Sequence, residues 1–168
     1  NPHQVNAFCA AIQALKTGGI ILADEVGLGK TIEAGLVLNY VLDNGAKKVL
    51  ISLPATLRKQ WEVELLEKFG RQAVILDRYT VEHDLANVQT HLGNADEVSI
   101  VIASYDYSSK LIKRFPHVKW DFLIIDEAHN LRNVFHGTKR AKNLYDLTHG
   151  IPKILLTATP LQNSLTDL

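Results

Sequence analysis

Residues 22–31 read LADEVGLGKT, an apolar segment that runs into a glycine-containing turn and then a lysine and a threonine. The stretch ends like the phosphate-binding loop G-x-x-x-x-G-K-[ST], except that Asp24 stands where the first glycine belongs. Gly27 and Gly29 give the backbone the freedom to turn sharply and present successive N–H groups to phosphate oxygens. The stretch therefore predicts a nucleotide site, with a plain strand-to-helix turn as the alternative when it is taken alone.

The two residues that end this stretch have the chemistry that a nucleotide needs. Lys30 can reach the β- and γ-phosphates, and the hydroxyl of Thr31 can bind Mg²⁺. A helix that begins near Lys30 would also direct its positive end at the phosphates.

Short apolar runs alternate with helical patterns along the whole chain. The runs are rich in Val, Ile and Leu, as expected for strands covered on both faces; they span 18–23, 48–53, 73–77, 98–104, 121–126 and 153–159. Two helix-period series lie between or before them: Val5, Phe8, Cys9, Ile12 and Leu15, and Leu57, Trp61, Leu65 and Phe69. This order predicts one α/β domain with a parallel sheet between helices, in which Trp61 belongs to the core.

The unusual motifs all follow predicted strands. The glycine loop follows the first run, PATLRKQW the second, SYDY the fourth, DEAH the fifth and TATPLQN the sixth. Ligands of parallel α/β sheets bind outside the carboxyl ends of the strands, so we expect these motifs to meet at one edge of the sheet.

The segment FLIIDEAH supplies two carboxylates at the end of a strand. Asp126 is placed to serve a Mg²⁺ ion that Thr31 and phosphates already hold. Glu127 is expected to point in another direction, because strand side chains alternate, and to polarise the attacking water. A solvated turn is the alternative for this pair of acids.

Three further residues are candidates for coupling. No second His or Cys stands at zinc spacing from His129, which either hydrogen-bonds toward the TAT segment or is a polar loop residue. Thr157 and Thr159 end the last predicted strand, where hydroxyls can pass a change in phosphate occupancy to the next loop. The alternative is a strand followed by a proline turn.

The bulk composition sets limits on function. Eighteen basic and eighteen acidic residues balance, so any contact with nucleic acid must be local. The single cysteine, Cys9, can form no internal disulfide and is expected to be a small buried apolar residue of a protein in a reducing compartment. No apolar run reaches the roughly 18 residues of a membrane span, and we expect a cytoplasmic protein without membrane contact.

Together the motifs DEVGLGKT, LPATLRKQW, SYD, DEAHNLRN and LTATPLQNS resemble the first motor lobe of superfamily 2 helicase-like ATPases, and most of all the bacterial branch of the Swi/Snf DNA translocases. The resemblance covers nearly the whole chain. It implies a three-layer RecA-like P-loop NTPase domain over residues 1–168, with a mostly parallel central sheet. That family accepts Asp in place of the first loop glycine, so Asp24 fits the pattern.

The resemblance also implies a set of functional residues. Those implied to bind ATP and Mg²⁺ are Gln4, Asp24, Gly27, Gly29, Lys30, Thr31, Asp126 and Glu127, with Lys30, Asp126 and Glu127 as the catalytic ones and Thr31 and Asp126 as Mg²⁺ ligands. Those implied to contact nucleic acid are Pro54, Thr56, Arg58, Lys59, Gln60, Ser104 and Tyr105. Helix N–H groups after Pro54 suit a phosphate, whereas a solvated helix face remains the alternative for Arg58 and Lys59.

As a function, the resemblance implies ATP hydrolysis coupled to translocation on double-stranded DNA and remodelling of DNA–protein complexes. Implied partners are a second RecA-like lobe, which lies outside these 168 residues, and a DNA-bound protein such as RNA polymerase. A bacterial, nucleoid-associated location follows from the same likeness. The alternatives are an RNA or single-strand helicase, and a nucleotide-gated protein-binding module. Because arginines of the second lobe would be missing, we expect the isolated lobe to hydrolyse ATP poorly.

Overall fold

The computed structural model describes residues 2–15, 18–23, 30–131 and 139–158, without the side chains of residues 2–7, 23 and 139–141. The strands are β1 (Gly19–Ala23), β2 (Lys48–Leu53), β3 (Val74–Ile75), β4 (Ser99–Ser104), β5 (Phe122–Ile125) and β6 (Lys153–Thr157). The α-helices are α1 (Pro2–Leu15), α2 (Lys30–Asp43), α3 (Arg58–Phe69), α4 (Arg78–His83), α5 (Leu85–Gly93), α6 (Tyr105–Arg114) and α7 (Lys139–Thr148). Single 3₁₀ turns cover Ala55–Leu57 and Ala128–Leu131.

The six strands form one sheet in the order β1-β6-β5-β2-β4-β3, and every pair is parallel. The register aligns the strand ends, since Ala23 pairs with Thr157 and Leu53 with Ser104. The predicted parallel α/β sheet is confirmed, and the described parts of the motifs follow the carboxyl ends of its strands.

Helices cover the sheet on both faces, which explains why the strands are apolar without alternation. In β2, Val49 and Ile51 face a core that α1, α2 and α3 close, while Leu50 faces a second core closed by α4, α5, α6 and α7. Trp61 lies in the first core at 2% exposure, as predicted. We call these two the α1–α3 core and the α4–α7 core.

At the opposite, amino-terminal edge of the sheet, Lys48 is a buried cation that ties three segments together. Its Nζ donates to the carbonyls of His91 and Glu97, each at 2.9 Å, and to Oγ of Ser99 at 2.8 Å. Burial lowers the pKa of Lys48, and the negative charges of Glu97 and Asp121 partly offset that effect. This edge therefore carries a structural network, away from the strand ends where the motifs meet.

Two details differ from expectation. Cys9 is exposed on α1, so the prediction that it is buried was wrong. Strand β3 is only two residues long, because Asp77 already caps α4 by accepting a hydrogen bond from the main-chain N–H of Thr80. Among the helices of the described ranges, none has the length and apolar character needed to span a membrane.

Candidate active site

A cleft of about 390 Å³ opens at the carboxyl edge of the sheet, between α2, α3 and the end of β5. Lys30 and Thr31 line it from the first turn of α2, and Asp126 and Glu127 line it from the segment after β5. The helix begins at Lys30, as the sequence predicts. The structure thus brings together the four described residues that carry the predicted ATP and Mg²⁺ chemistry.

Asp126 is fixed from several sides. Its main-chain N–H donates to the carbonyl of Ser52 at 3.0 Å, which extends the ladder between β5 and β2 by one residue. One carboxylate oxygen, Oδ2, accepts a hydrogen bond from the indole Nε1 of Trp61 at 2.8 Å. The other, Oδ1, accepts from the N–H of Glu127 at 2.8 Å. The 8% exposed Asp126 side chain is therefore held in one orientation at the cleft.

The conformation of Glu127 does not follow from strand alternation. The strand ends at Ile125. Glu127 has a φ of +50°, in the left-handed region of backbone conformation that residues other than glycine rarely adopt. The prediction that strand alternation separates the two carboxylates was wrong in its cause. From the other side of the sheet, the hydroxyl of Tyr105 donates to the carbonyl of Asp126 and lies 3.1 Å from that of Glu127.

His129 stands between Glu127 and β6. Its Nδ1 lies 3.1 Å from Oε2 of Glu127, which is ion-pair distance without hydrogen-bond geometry, and 3.4 Å from Oγ1 of Thr157. His129 was expected either to hydrogen-bond toward the TAT segment or to be a polar loop residue. The contact with Thr157 agrees with the first interpretation.

Helix α3 contributes a third carboxylate, which the sequence did not indicate. Glu64 accepts hydrogen bonds from Gln60 at 2.8 Å and Lys68 at 2.9 Å, and Thr31 also hydrogen-bonds to it. Burial, the largest single influence, raises the pKa of Glu64, but these hydrogen bonds and the Lys68 charge together bring the pKa below its ordinary value. The cleft therefore combines two lysines with three carboxylates.

The donor set fits a Mg²⁺ ion held jointly by the protein and a nucleotide. Within the ranges that the structure describes, no group of three His, Cys, Asp or Glu side chains forms a metal cage. Mg²⁺ usually binds through one or two carboxylates together with phosphate oxygens and waters. The carboxylate of Asp126 and the hydroxyl of Thr31 line the same cleft as Lys30, and they supply such an incomplete set.

Several predicted residues lie outside what the structure describes. Asp24, Gly27, Gly29 and Thr159 are outside the described ranges, and Gln4 lies on α1 with its side chain undescribed. Their assignments remain predictions.

The segment after β2 is only partly arranged as expected for nucleic-acid contact. Pro54 precedes the 3₁₀ turn that leads into α3, Thr56 lies within that turn, and no side chain caps it. Lys59 is well exposed and pairs with Glu62. Gln60 instead lines the nucleotide cleft, so its assignment to nucleic acid is not supported by its position.

Arg58 is engaged within the protein. Its Nη1 lies 3.1 Å from Oδ2 of Asp77, and its Nε donates to the carbonyl of Ala55 at 3.1 Å. A phosphate that binds Arg58 must therefore compete with Asp77.

The segment after β4 contains one clear correction. Tyr105 is 5% exposed and its hydroxyl is directed at the Asp126 and Glu127 carbonyls, so the prediction that it contacts nucleic acid through that group was wrong. Ser104 is half-buried and caps α6 by accepting from the N–H of Tyr107 at 3.4 Å. Its assignment remains a prediction.

Comparison with known proteins agrees with this geometry. The family described as SNF2-related domain matches residues 3–168. A Bacillus subtilis (strain 168) protein named "Uncharacterized ATP-dependent helicase YqhH" is 38% identical over 177 residues, which cover 99% of this chain and 28% of that protein. The solved Sulfolobus solfataricus SWI2/SNF2 ATPase core in complex with dsDNA matches with a TM-score of 0.75 and 25% identity, over 99% of this chain and 33% of that one.

The chain thus spans about a third or less of the length of these two proteins. Its six-stranded parallel sheet matches the RecA-like architecture that the motifs predict. The family match over nearly every residue, together with the common fold, shows that this chain belongs to the SNF2-related domain family.

Proposed function

We propose that this chain is the nucleotide-binding lobe of a motor that hydrolyses ATP and moves along duplex DNA, remodelling DNA–protein complexes. The observation that carries the proposal is the single cleft that joins Lys30 and Thr31 to Asp126 and Glu127. Two likenesses support it: one relative is named an ATP-dependent helicase, and the structural relative was solved with dsDNA. A bacterial cytoplasmic location and a DNA-bound protein partner such as RNA polymerase belong to the same proposal.

Each residue of the cleft has a role that its position allows. Lys30, at the positive end of α2, binds the terminal phosphates, while Thr31 and Asp126 would hold the Mg²⁺ ion. When bound, Mg²⁺ neutralises charge that develops on the phosphates. Glu127 orients the attacking water and accepts its proton, and His129 beside it holds that carboxylate toward the cleft. A second lobe completes the site with arginines, and its motion against this lobe advances the motor.

The substitution Glu127→Gln in the full-length protein tests the catalytic assignment. Because a positioned general base contributes about 10²- to 10⁴-fold to a rate, we expect ATP turnover to fall by at least about a hundredfold while Mg²⁺–nucleotide binding is kept. Glu67→Gln is the matched control, since Glu67 is an exposed acid on α3. An unchanged rate in Glu127→Gln would defeat the assignment and favour the nucleotide-gated binding module.

The nucleic-acid substrate is tested by ATPase stimulation. We expect duplex DNA to stimulate the full-length protein and RNA to leave its rate near the basal value. If only RNA or only single-stranded DNA stimulated the ATPase, the result would favour the alternative of an RNA or single-strand helicase.

A further inference from the structure

We propose that Trp61 and Tyr105 are positioning residues that hold the Asp126–Glu127 turn from both faces of the sheet and connect it to the segments after β2 and β4. This inference rests on the proposed function, because it assigns two further residues to the same site. Trp61 also lines the cleft, and each of the two acts through the main chain or the carboxylate of the catalytic pair.

Trp61 fixes the carboxylate. Its indole is packed in the α1–α3 core at 2% exposure, so its Nε1 has a set position, and it donates to Oδ2 of Asp126 at 2.8 Å. Hydrogen bonds to an ionised acceptor are roughly twice as strong as neutral ones. A Phe at this position would keep a buried aromatic ring but offer no donor, and Trp120→Phe makes the same change in size at another buried site.

The second tryptophan shows that such a bond does not follow from burial alone. Trp120 is 6% exposed in the α4–α7 core, and its Nε1 has no hydrogen-bond partner within the described part of the chain. The fold therefore contains two buried indoles, of which one donates to the catalytic aspartate.

Tyr105 fixes the main chain of the same turn from the opposite core. Its ring lies in the α4–α7 core, and its hydroxyl meets the carbonyls of Asp126 and Glu127. Glu127 has a positive φ, and a residue with a side chain keeps that conformation only where its surroundings hold it. The Tyr105 hydroxyl is placed to do so.

Both donors belong to helices that begin where nucleic-acid contacts are proposed. Trp61 is in the first turn of α3, which begins at Arg58, and Tyr105 is the first residue of α6 after its cap Ser104. A displacement of either helix start therefore changes a hydrogen bond to the catalytic turn. This is a direct physical route by which nucleic-acid binding can alter the alignment of Asp126 and Glu127.

The test uses Trp61→Phe and Tyr105→Phe in the full-length protein, with Trp120→Phe and Tyr107→Phe as matched controls. Three quantities are measured: DNA-stimulated ATP turnover as a function of Mg²⁺ concentration, binding of a fluorescent non-hydrolysable ATP analogue with and without Mg²⁺, and the thermal midpoint. We expect Trp61→Phe to lower kcat about tenfold, the effect of losing one hydrogen bond to a charged group. It should also raise severalfold the Mg²⁺ concentration for half-maximal binding, with Mg²⁺-free binding unchanged.

Tyr105→Phe removes a single oxygen atom and keeps the ring, so it remains informative if Trp61→Phe folds poorly. We expect it to lower kcat and the stimulation by DNA, since it loosens the turn that carries Glu127. The controls should leave kcat and the Mg²⁺ dependence unchanged. The proposal is overturned if Trp61→Phe and Trp120→Phe shift the thermal midpoint alike and neither changes the Mg²⁺ dependence. Failure of the unsubstituted protein to bind Mg²⁺–nucleotide would instead remove the proposed function, and this inference with it.

Discussion

The ion pair between Arg58 and Asp77 allows a quantitative test of whether the segment after β2 binds a phosphate. Arg58 Nη1 lies 3.1 Å from Asp77 Oδ2. Asp77 is also the N-cap of α4, since its Oδ1 accepts from the N–H of Thr80 at 3.0 Å and from the hydroxyl at 2.8 Å. Asp77→Ala therefore removes a helix cap and at the same time releases the guanidinium.

The stability cost can be estimated from these two interactions. Loss of an N-cap costs about 1 kcal/mol, and a partly exposed ion pair contributes about 0.2–1 kcal/mol. We expect a loss of about 1–2 kcal/mol, which for a domain of this size lowers the thermal midpoint by about 2–8 °C. Releasing Arg58 should raise DNA affinity by at most about fivefold, which is the equivalent of 1 kcal/mol.

The same carboxylate gives the cost a pH dependence. The main-chain hydrogen bond from Thr80 is the largest cause that holds the pKa of Asp77 below its usual value; burial opposes it, and the Thr80 hydroxyl and Arg58 add to it. A lowered folded-state pKa means that the stabilisation is full above the unfolded-state pKa of roughly 3.9 and is lost as pH falls through the folded-state value. The stability difference between the parent protein and Asp77→Ala should therefore shrink in that acid range.

The decisive assay is the salt dependence of DNA binding. Arg58→Ala should lower the slope of log affinity against log salt by about 0.9 if Arg58 neutralises one phosphate. Arg71→Ala is the matched control, because Arg71 is also partly exposed and pairs with Asp43 at 3.1 Å, beyond the other end of α3. Equal slopes and affinities for the two variants would refute the reasoning and leave Arg58 with the structural role of securing α4.

Two further predictions concern the scaffold. Lys48→Met should cost about 2–4 kcal/mol in urea unfolding, because it deprives three buried or part-buried acceptors of a charged donor. Lys47→Met should stay within about 0.5 kcal/mol, and an equal effect of both would contradict the role of the buried ammonium. Gly35→Ala places a Cβ 2.2 Å from the ring of Phe69. The clash should outweigh the gain in helix propensity and lower the free energy of unfolding by about 1–2 kcal/mol. This loss should vanish in a Phe69→Ala background, and its persistence there would exclude the contact with Phe69 as the cause.

The sequence predicts the sheet well because strands buried on both faces leave an unmistakable apolar run. The two errors in the predicted fold, the length of β3 and the burial of Cys9, have local causes. The edge strand shortens to Val74–Ile75 because Asp77 starts a helix. On α1, the buried and half-buried side chains Phe8, Ala11, Ile12 and Leu15 share one face, and Cys9 lies outside it. Phe8 and Cys9 are both apolar, so apolar character alone does not tell which of them is buried. Their different angular positions around the helix axis do.

Within the site, residues that act through local motifs could be predicted, and residues that act across elements could not. Lys30, Thr31 and Asp126 follow from the chemistry of single segments. The apolar period correctly buries Trp61, but it carries no information about where the indole N–H points. For Tyr105, the position after a strand suggested an accessible donor. Its ring is instead buried in the α4–α7 core, and its hydroxyl donates to the Asp126–Glu127 turn. Glu64 gave no signal beyond an ordinary helix-surface acid.

The strand order also sets when this site can assemble during protein synthesis. In the described sheet β1 lies at one end, and its pairing partner is β6, the last of these six strands in chain order. Ala23 pairs with Thr157, 134 residues later (157 − 23). At about 5–20 residues per second, β1 waits about 7–27 s for its partner, with its hydrogen-bonding edge unpaired. An unpaired strand edge can pair with other chains, so chaperone protection of β1 during this interval would favour the yield of folded protein.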